Sequence, residues 1–150
     1  MTLLNDTNDL ALKSWVASAN EVGCDFPIQN LPFGVFRRAG SDEAYRGGVA
    51  IGDQILDLSA AVAGGLLSGA AAKACEEPTL NTLMSLGRPA WSDLRAQLSA
   101  VLRESGRQEV GTACLVPMAD AEMTVPAKIG DYTDFYSSIN HATNVGKMFR

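Results

Sequence analysis

The residues best equipped for chemistry gather in one stretch of this chain, DYTDFYSSINHATNVGKMFR, positions 131–150. Asp131, Tyr132, Asp134, Tyr136, His141, Asn144 and Arg150 all fall there, and His141 is the only histidine in the sequence. An aspartate offers oxygen to a hard divalent cation, a neutral histidine can take a proton from water, and an arginine fork can hold a carboxylate. These are parts of a hydrolytic site for an anionic substrate. They do not complete one: calcium takes about six to eight oxygen ligands and magnesium about six, whereas this stretch offers two aspartates. A general-base histidine also needs a partner on its second nitrogen to fix its tautomer, and nothing within the stretch obviously supplies it.

The same residues suit plainer roles. Positions 138–148 read as a helix whose Ile139, Ala142, Val145 and Met148 form an apolar stripe. Asp131 could then be a cap, Tyr132 and Tyr136 half-buried aromatics with solvated hydroxyls, and Arg150 a solvated cation. Residue types alone leave both readings open.

The elements that must position this stretch lie before it. Pro27 and Pro32 keep their neighbours extended ahead of a strand over 34–38. RGGVAIGDQILDL, positions 46–58, predicts a β-hairpin, because Gly52-Asp53 separates two apolar runs and glycine accepts the positive φ of a tight primed turn. Alanine-rich helix is expected over 59–74, interrupted at Gly64-Gly65 and Gly69. Thr79 can cap a short helix ending at Gly87. Pro89 suits the first turn of a longer one carrying Trp91, Leu94, Leu98, Val101 and Leu102, ended by Gly106. Leu10, Leu12, Trp15 and Val16 predict a short N-terminal helix capped by Asn8 or Asp9. CLVPMADAEMTVPAKIGD returns to strand, and a composition shift places a domain boundary near Pro126.

Composition narrows the function classes. With 47% hydrophobic residues among 150, the chain can bury one core without metal or disulfide staples. Twelve scattered Lys and Arg against seventeen Asp and Glu argue against nucleic acid or an anionic membrane as partner. Cys24, Cys75 and Cys114 lack CxxC spacing and read as reduced thiols packed as small hydrophobes in a cytoplasmic protein. No stretch approaches the roughly 20 apolar residues of a spanning helix, and no signal-peptide pattern opens the chain. Phosphate-loop, nucleophile-elbow and HExxH motifs are absent from the sequence.

Four stretches in order, DFPIQNLPFGVF at 25–36, GVAIGDQILDLS at 48–59, LNTLMSLGRPAW at 80–91 and IGDYTDFYSSINHATNVGKMFR at 129–150, resemble the N-terminal part of the fumarylacetoacetase family. The resemblance implies a mixed α/β (α+β) chain. Residues 1–126 would form an N-terminal domain built on a small SH3-like barrel with helices, and 127–150 would begin a β-roll catalytic domain. It implies hydrolysis of the carbon-carbon bond of a diketo acid, 4-fumarylacetoacetate, to fumarate and acetoacetate, in a homodimer that uses Ca2+ or Mg2+. Residue by residue, it makes Asp134 a metal ligand, His141 the base that activates water, and Tyr136 and Arg150 substrate contacts, with no direct chemistry for Asp131 and Tyr132. The family's other metal carboxylates and the glutamate partner of the histidine would lie beyond the counterpart of Arg150, so this chain is expected to be an N-terminal fragment, inactive alone. The alternative is a non-catalytic module that contributes to dimerisation or stability. An acylpyruvate hydrolase is disfavoured by the well-matched N-terminal stretches.

Overall fold

The structure, a computed structural model, describes residues 5–149; Arg150 and residues 1–4 lie outside the described residues. Five strands form one antiparallel sheet: β1 (Phe33–Arg38), β2 (Arg46–Ile51), β3 (Gln54–Asp57), β4 (Leu115–Pro117) and β5 (Ala121–Thr124), in the order β4-β3-β2-β1-β5. Six α-helices accompany them among the described residues: α1 (Leu58–Ala63), α2 (Gly69–Ala74), α3 (Asn81–Ser85), α4 (Arg88–Leu102), α5 (Gln108–Gly111) and α6 (Ile139–Phe149). The mixed helix-and-sheet class is as expected.

The hairpin forms where the Gly-Asp pair predicts it, with Val49 opposite Leu56 and Ile51 opposite Gln54. Gly52 sits at φ +58, and a Cβ there would collide with the Ser18 hydroxyl. Two independent constraints therefore demand glycine at this corner. Ser18 in turn donates to Asp53 at 2.6 Å, which ties the turn to the N-terminal segment.

The period-two alternation of the strands splits their side chains between two faces. Val35, Val49, Ile51 and Leu56 enter the main core with Leu94, Leu98 and Leu102 of α4. Phe36, Ile55 and Val116 form a smaller cluster of their own. Gly48 makes room for that cluster, since a Cβ would stand 2.5 Å from Ile55 Cγ2 and 2.8 Å from the Phe36 ring. Beside Phe36, Arg37 forks onto Glu122 at 3.0 and 3.1 Å across the β1–β5 pair, and its guanidinium lies 4.8 Å from the centre of the Tyr45 ring.

Helix α4 has Pro89 in its first turn and buries Leu94, Leu98, Val101 and Leu102, positions that share one face. It ends at Leu102, with Arg103 already extended, so Gly106 lies in the following turn rather than at the helix end. Leu80, not Thr79, occupies the cap position of α3.

The N-terminal helix expected around Leu10–Val16 does not form. Residues 9–16 instead cross the end of α4: Trp15 Nε1 donates to Val101 O at 2.8 Å, and the Ser14 hydroxyl donates to Leu102 O at 2.7 Å. A helix leaves its last carbonyls without partners. Supplying those partners wins over the local periodicity that favoured a helix. Arg95 completes the strap by donating to Thr7 Oγ1 at 3.0 Å and to Gln29 O at 2.6 Å.

All three cysteines are free, with Cys75 and Cys114 buried as expected and Cys24 half-buried. No helix among the described residues is long and apolar enough to cross a membrane.

Candidate functional site

The segment that carries the candidate residues leaves the folded body through a short amide clamp. Leu80 N donates to Pro126 O at 2.7 Å. Asn81 then grips Lys128 from both sides, its Nδ2 donating to Lys128 O at 3.0 Å and its Oδ1 accepting from Lys128 N at 2.8 Å. This clamp was missed in the sequence. The available signal was an amide side chain opening a short helix with its own capping capacity unused.

Beyond the clamp, residues 129–138 are neither helix nor strand, and α6 follows, opened by Ala142 N donating to Ser138 O at 3.0 Å. No residue from 127 to 149 is buried. The helix expected over 138–148 is present, and Ile139 and Met148 of its apolar stripe are 82% and 72% exposed. Asp131 is not its cap, since α6 begins eight positions later.

Among the candidate residues, the structure brings Tyr136 and His141 together. Their ring centroids are 5.3 Å apart and the planes are tilted by 46°. The tyrosine stands just before α6, so the chain must turn into the helix for the two rings to meet. Asp131 and Asp134 are exposed in the irregular stretch before α6, as is Tyr132. Among the described residues no three His, Cys, Asp or Glu side chains converge tightly enough to hold a metal ion. Arg150 falls outside the described residues.

Two apolar grooves among the described residues share Phe33. One, of about 370 Å³, is lined by Phe26, Phe33, Phe36, Ile55, Met118 and Met123. The other, of about 280 Å³, lies between Leu80, Leu83, Met84, Trp91 and Leu94. Neither contains a titratable group, and none of Asp134, Tyr136 or His141 lines them. Reactive chemistry and apolar shape therefore occupy different parts of this chain.

Comparison with known proteins agrees with the ordered stretches. The family described as Fumarylacetoacetase N-terminal matches residues 29–126. Fumarylacetoacetase of Oryza sativa subsp. japonica is 46% identical over 149 residues, covering 93% of this chain and 34% of the rice protein. The Caenorhabditis elegans fumarylacetoacetase is 50% identical and the Homo sapiens one 48%, each over 135 residues, with 84% of this chain and 32% of the relative covered. A match over 93% of the chain necessarily extends past Pro126 into the candidate segment. The chain spans about a third of the length of these curated relatives. By the match over 29–126 and these identities, the chain belongs to the fumarylacetoacetase N-terminal family.

Proposed function

We propose that this chain is the N-terminal part of a fumarylacetoacetase, a hydrolase that cleaves the carbon-carbon bond of 4-fumarylacetoacetate to fumarate and acetoacetate. The observation that carries the reading is the 46% identity to a fumarylacetoacetase across both the folded body and the candidate segment. In this reading residues 1–126 form an N-terminal domain around a small SH3-like barrel, and 127–150 begin a β-roll catalytic domain of a cytoplasmic homodimer.

His141 takes the proton of the attacking water, a task for an imidazole nitrogen with a free lone pair. Tyr136 offers its hydroxyl to the substrate, and Arg150 pairs with a substrate carboxylate through its planar fork. Asp134 supplies one oxygen ligand to Ca2+ or Mg2+, whose chemistry when bound is to polarise the diketone oxygens. The described residues fall short of the ligand number of either ion, so this chain contributes a ligand and not a metal site.

A second reading, a non-catalytic module serving dimerisation or stability, is favoured by one observation: no described residue beyond Val116 is buried. A chimera separates the two. These 150 residues replace the matched N-terminal third of the rice relative, and metal-dependent fumarate release is measured. Activity that disappears in Asp134→Ala and His141→Ala supports the hydrolase. A folded but inactive chimera, or activity indifferent to both substitutions, overturns it.

A further inference from the structure

We infer that Tyr136 is a positioning residue for His141, its ring holding the imidazole in one orientation at the start of α6. The inference rests on the reading of His141 as the base, and it adds a second task to a tyrosine whose hydroxyl alone has a proposed role.

The backbone of His141 is fixed by α6, whereas its side-chain torsions are not fixed by helix geometry alone. Among the described residues no hydrogen bond reaches either imidazole nitrogen, so within this stretch it is ring packing that can restrain the side chain. Tyr136 supplies that packing: 5.3 Å between centroids at 46° is within the range in which aromatic pairs attract in tilted geometry. The pair has Tyr136 outside the helix and His141 in its first turn, so forming α6 and seating the imidazole are linked. A base must stand within hydrogen-bond reach of the water it activates, and small displacements are costly in rate. Ring and hydroxyl thus divide the labour: the hydroxyl faces substrate, and the ring restrains the base.

Because His141 is the only histidine, its two ring-proton resonances identify themselves in a proton NMR spectrum of the 150-residue chain. Tyr136→Phe keeps the ring, and Tyr136→Leu removes it. Cross-relaxation between the rings and displaced His141 resonances are expected in the parent chain and in Tyr136→Phe, and should vanish in Tyr136→Leu. In the rice chimera, Tyr136→Phe should raise KM and leave kcat nearly intact. Tyr136→Leu should raise KM and also lower kcat on the order of tenfold to a hundredfold. His141 resonances unchanged in Tyr136→Leu overturn the positioning role whatever the chimera does, as does an equal kcat loss in the two variants. A parent chimera that releases no fumarate overturns instead the underlying assignment of His141.

Discussion

The Nε–H of Arg46 donates to Asp57 Oδ2 at 2.7 Å, and the two side chains are only 13% and 5% exposed. Asp57 is also the N-cap of α1, its Oδ1 accepting from Ala60 N at 3.1 Å. One carboxylate thus joins two neighbouring strands of the hairpin to the helix that follows. The Arg46 guanidinium also lies over the Phe36 ring, 4.9 Å from its centre.

Removing one member of a buried pair leaves the other charge desolvated, which costs about 3–5 kcal/mol, and losing a cap costs about 1 kcal/mol. Arg46 keeps Glu43 at 3.2 Å, which offsets part of the loss. Asp57→Ala is therefore expected to destabilise the chain by about 3 kcal/mol in urea unfolding. Asp57→Asn retains an acceptor for Ala60 N and should lose clearly less. A loss in Asp57→Ala below about 1 kcal/mol, typical of exposed pairs, would show that the pair is solvated and not buried.

Acid should weaken the β1–β5 edge. Tyr45, donating at 2.6 Å, and Arg37 hold the Glu122 carboxyl below its ordinary 4.5. A depressed folded value means that the stabilisation is present above the unfolded value and is lost as pH falls through the folded one. The melting temperature of the parent should thus exceed that of Glu122→Gln near neutral pH, and the gap should shrink as pH falls below the ordinary 4.5 and through the lower folded value. A gap that stays constant down to pH 3 would remove the carboxylate's charge from the explanation.

Much of the fold could be read before any coordinates. The hairpin was legible because both of its strands and its turn are local, and α4 was legible because Pro89 and an apolar face at helical spacing agree. The strap over 9–16 was not, because its partners are the carbonyls of Val101 and Leu102, far away in sequence. The same holds for the Asn81–Lys128 clamp and for the pairing of β5 with β1. At the candidate site, residue types announced the chemistry of Asp134 and His141, whereas convergence of donors is a tertiary property that no spacing within 131–150 determines. The Tyr136–His141 contact lay between these extremes: close in sequence, but dependent on where α6 begins.

Alkali should weaken the core through its thiols. Burial pushes Cys75 up from 9.0 to about 11, and Cys114 upward as well. Cys75 is fully buried and its S–H donates to Ala71 O at 3.2 Å. Because the folded value is raised, the stabilisation is complete below 9.0 and is lost as pH rises towards 11, at roughly 1.4 kcal/mol per pH unit. Urea midpoints should fall more steeply with pH in the parent than in Cys75→Ala. A thiol reagent at neutral pH should modify Cys24 well before the other two. Equal slopes in parent and variant, or three thiols reacting together, would contradict a sealed Cys75.

Limited proteolysis should divide the chain just beyond its clamp. Cleavage needs a local stretch that can leave the fold, and the free energy of such opening falls where few apolar contacts are buried. Residues 127–149 contain no buried side chain, and Tyr132, Phe135 and Tyr136 are 86%, 79% and 61% exposed. Phe36 in the body is fully buried and Phe26 and Phe33 are half-buried, so chymotrypsin should cut first at 132–136 and leave a resistant fragment of the preceding residues. Asn81→Ala removes both side-chain bonds to Lys128 and leaves the Leu80–Pro126 bond. Thermolysin, which cuts before apolar residues, should then reach Ile129 faster in the variant than in the parent. Equal resistance of the two regions in the parent would mean that the exposed apolar residues of 127–149 are covered in solution. Equal rates at Ile129 would mean that the clamp does not hold the segment to the body.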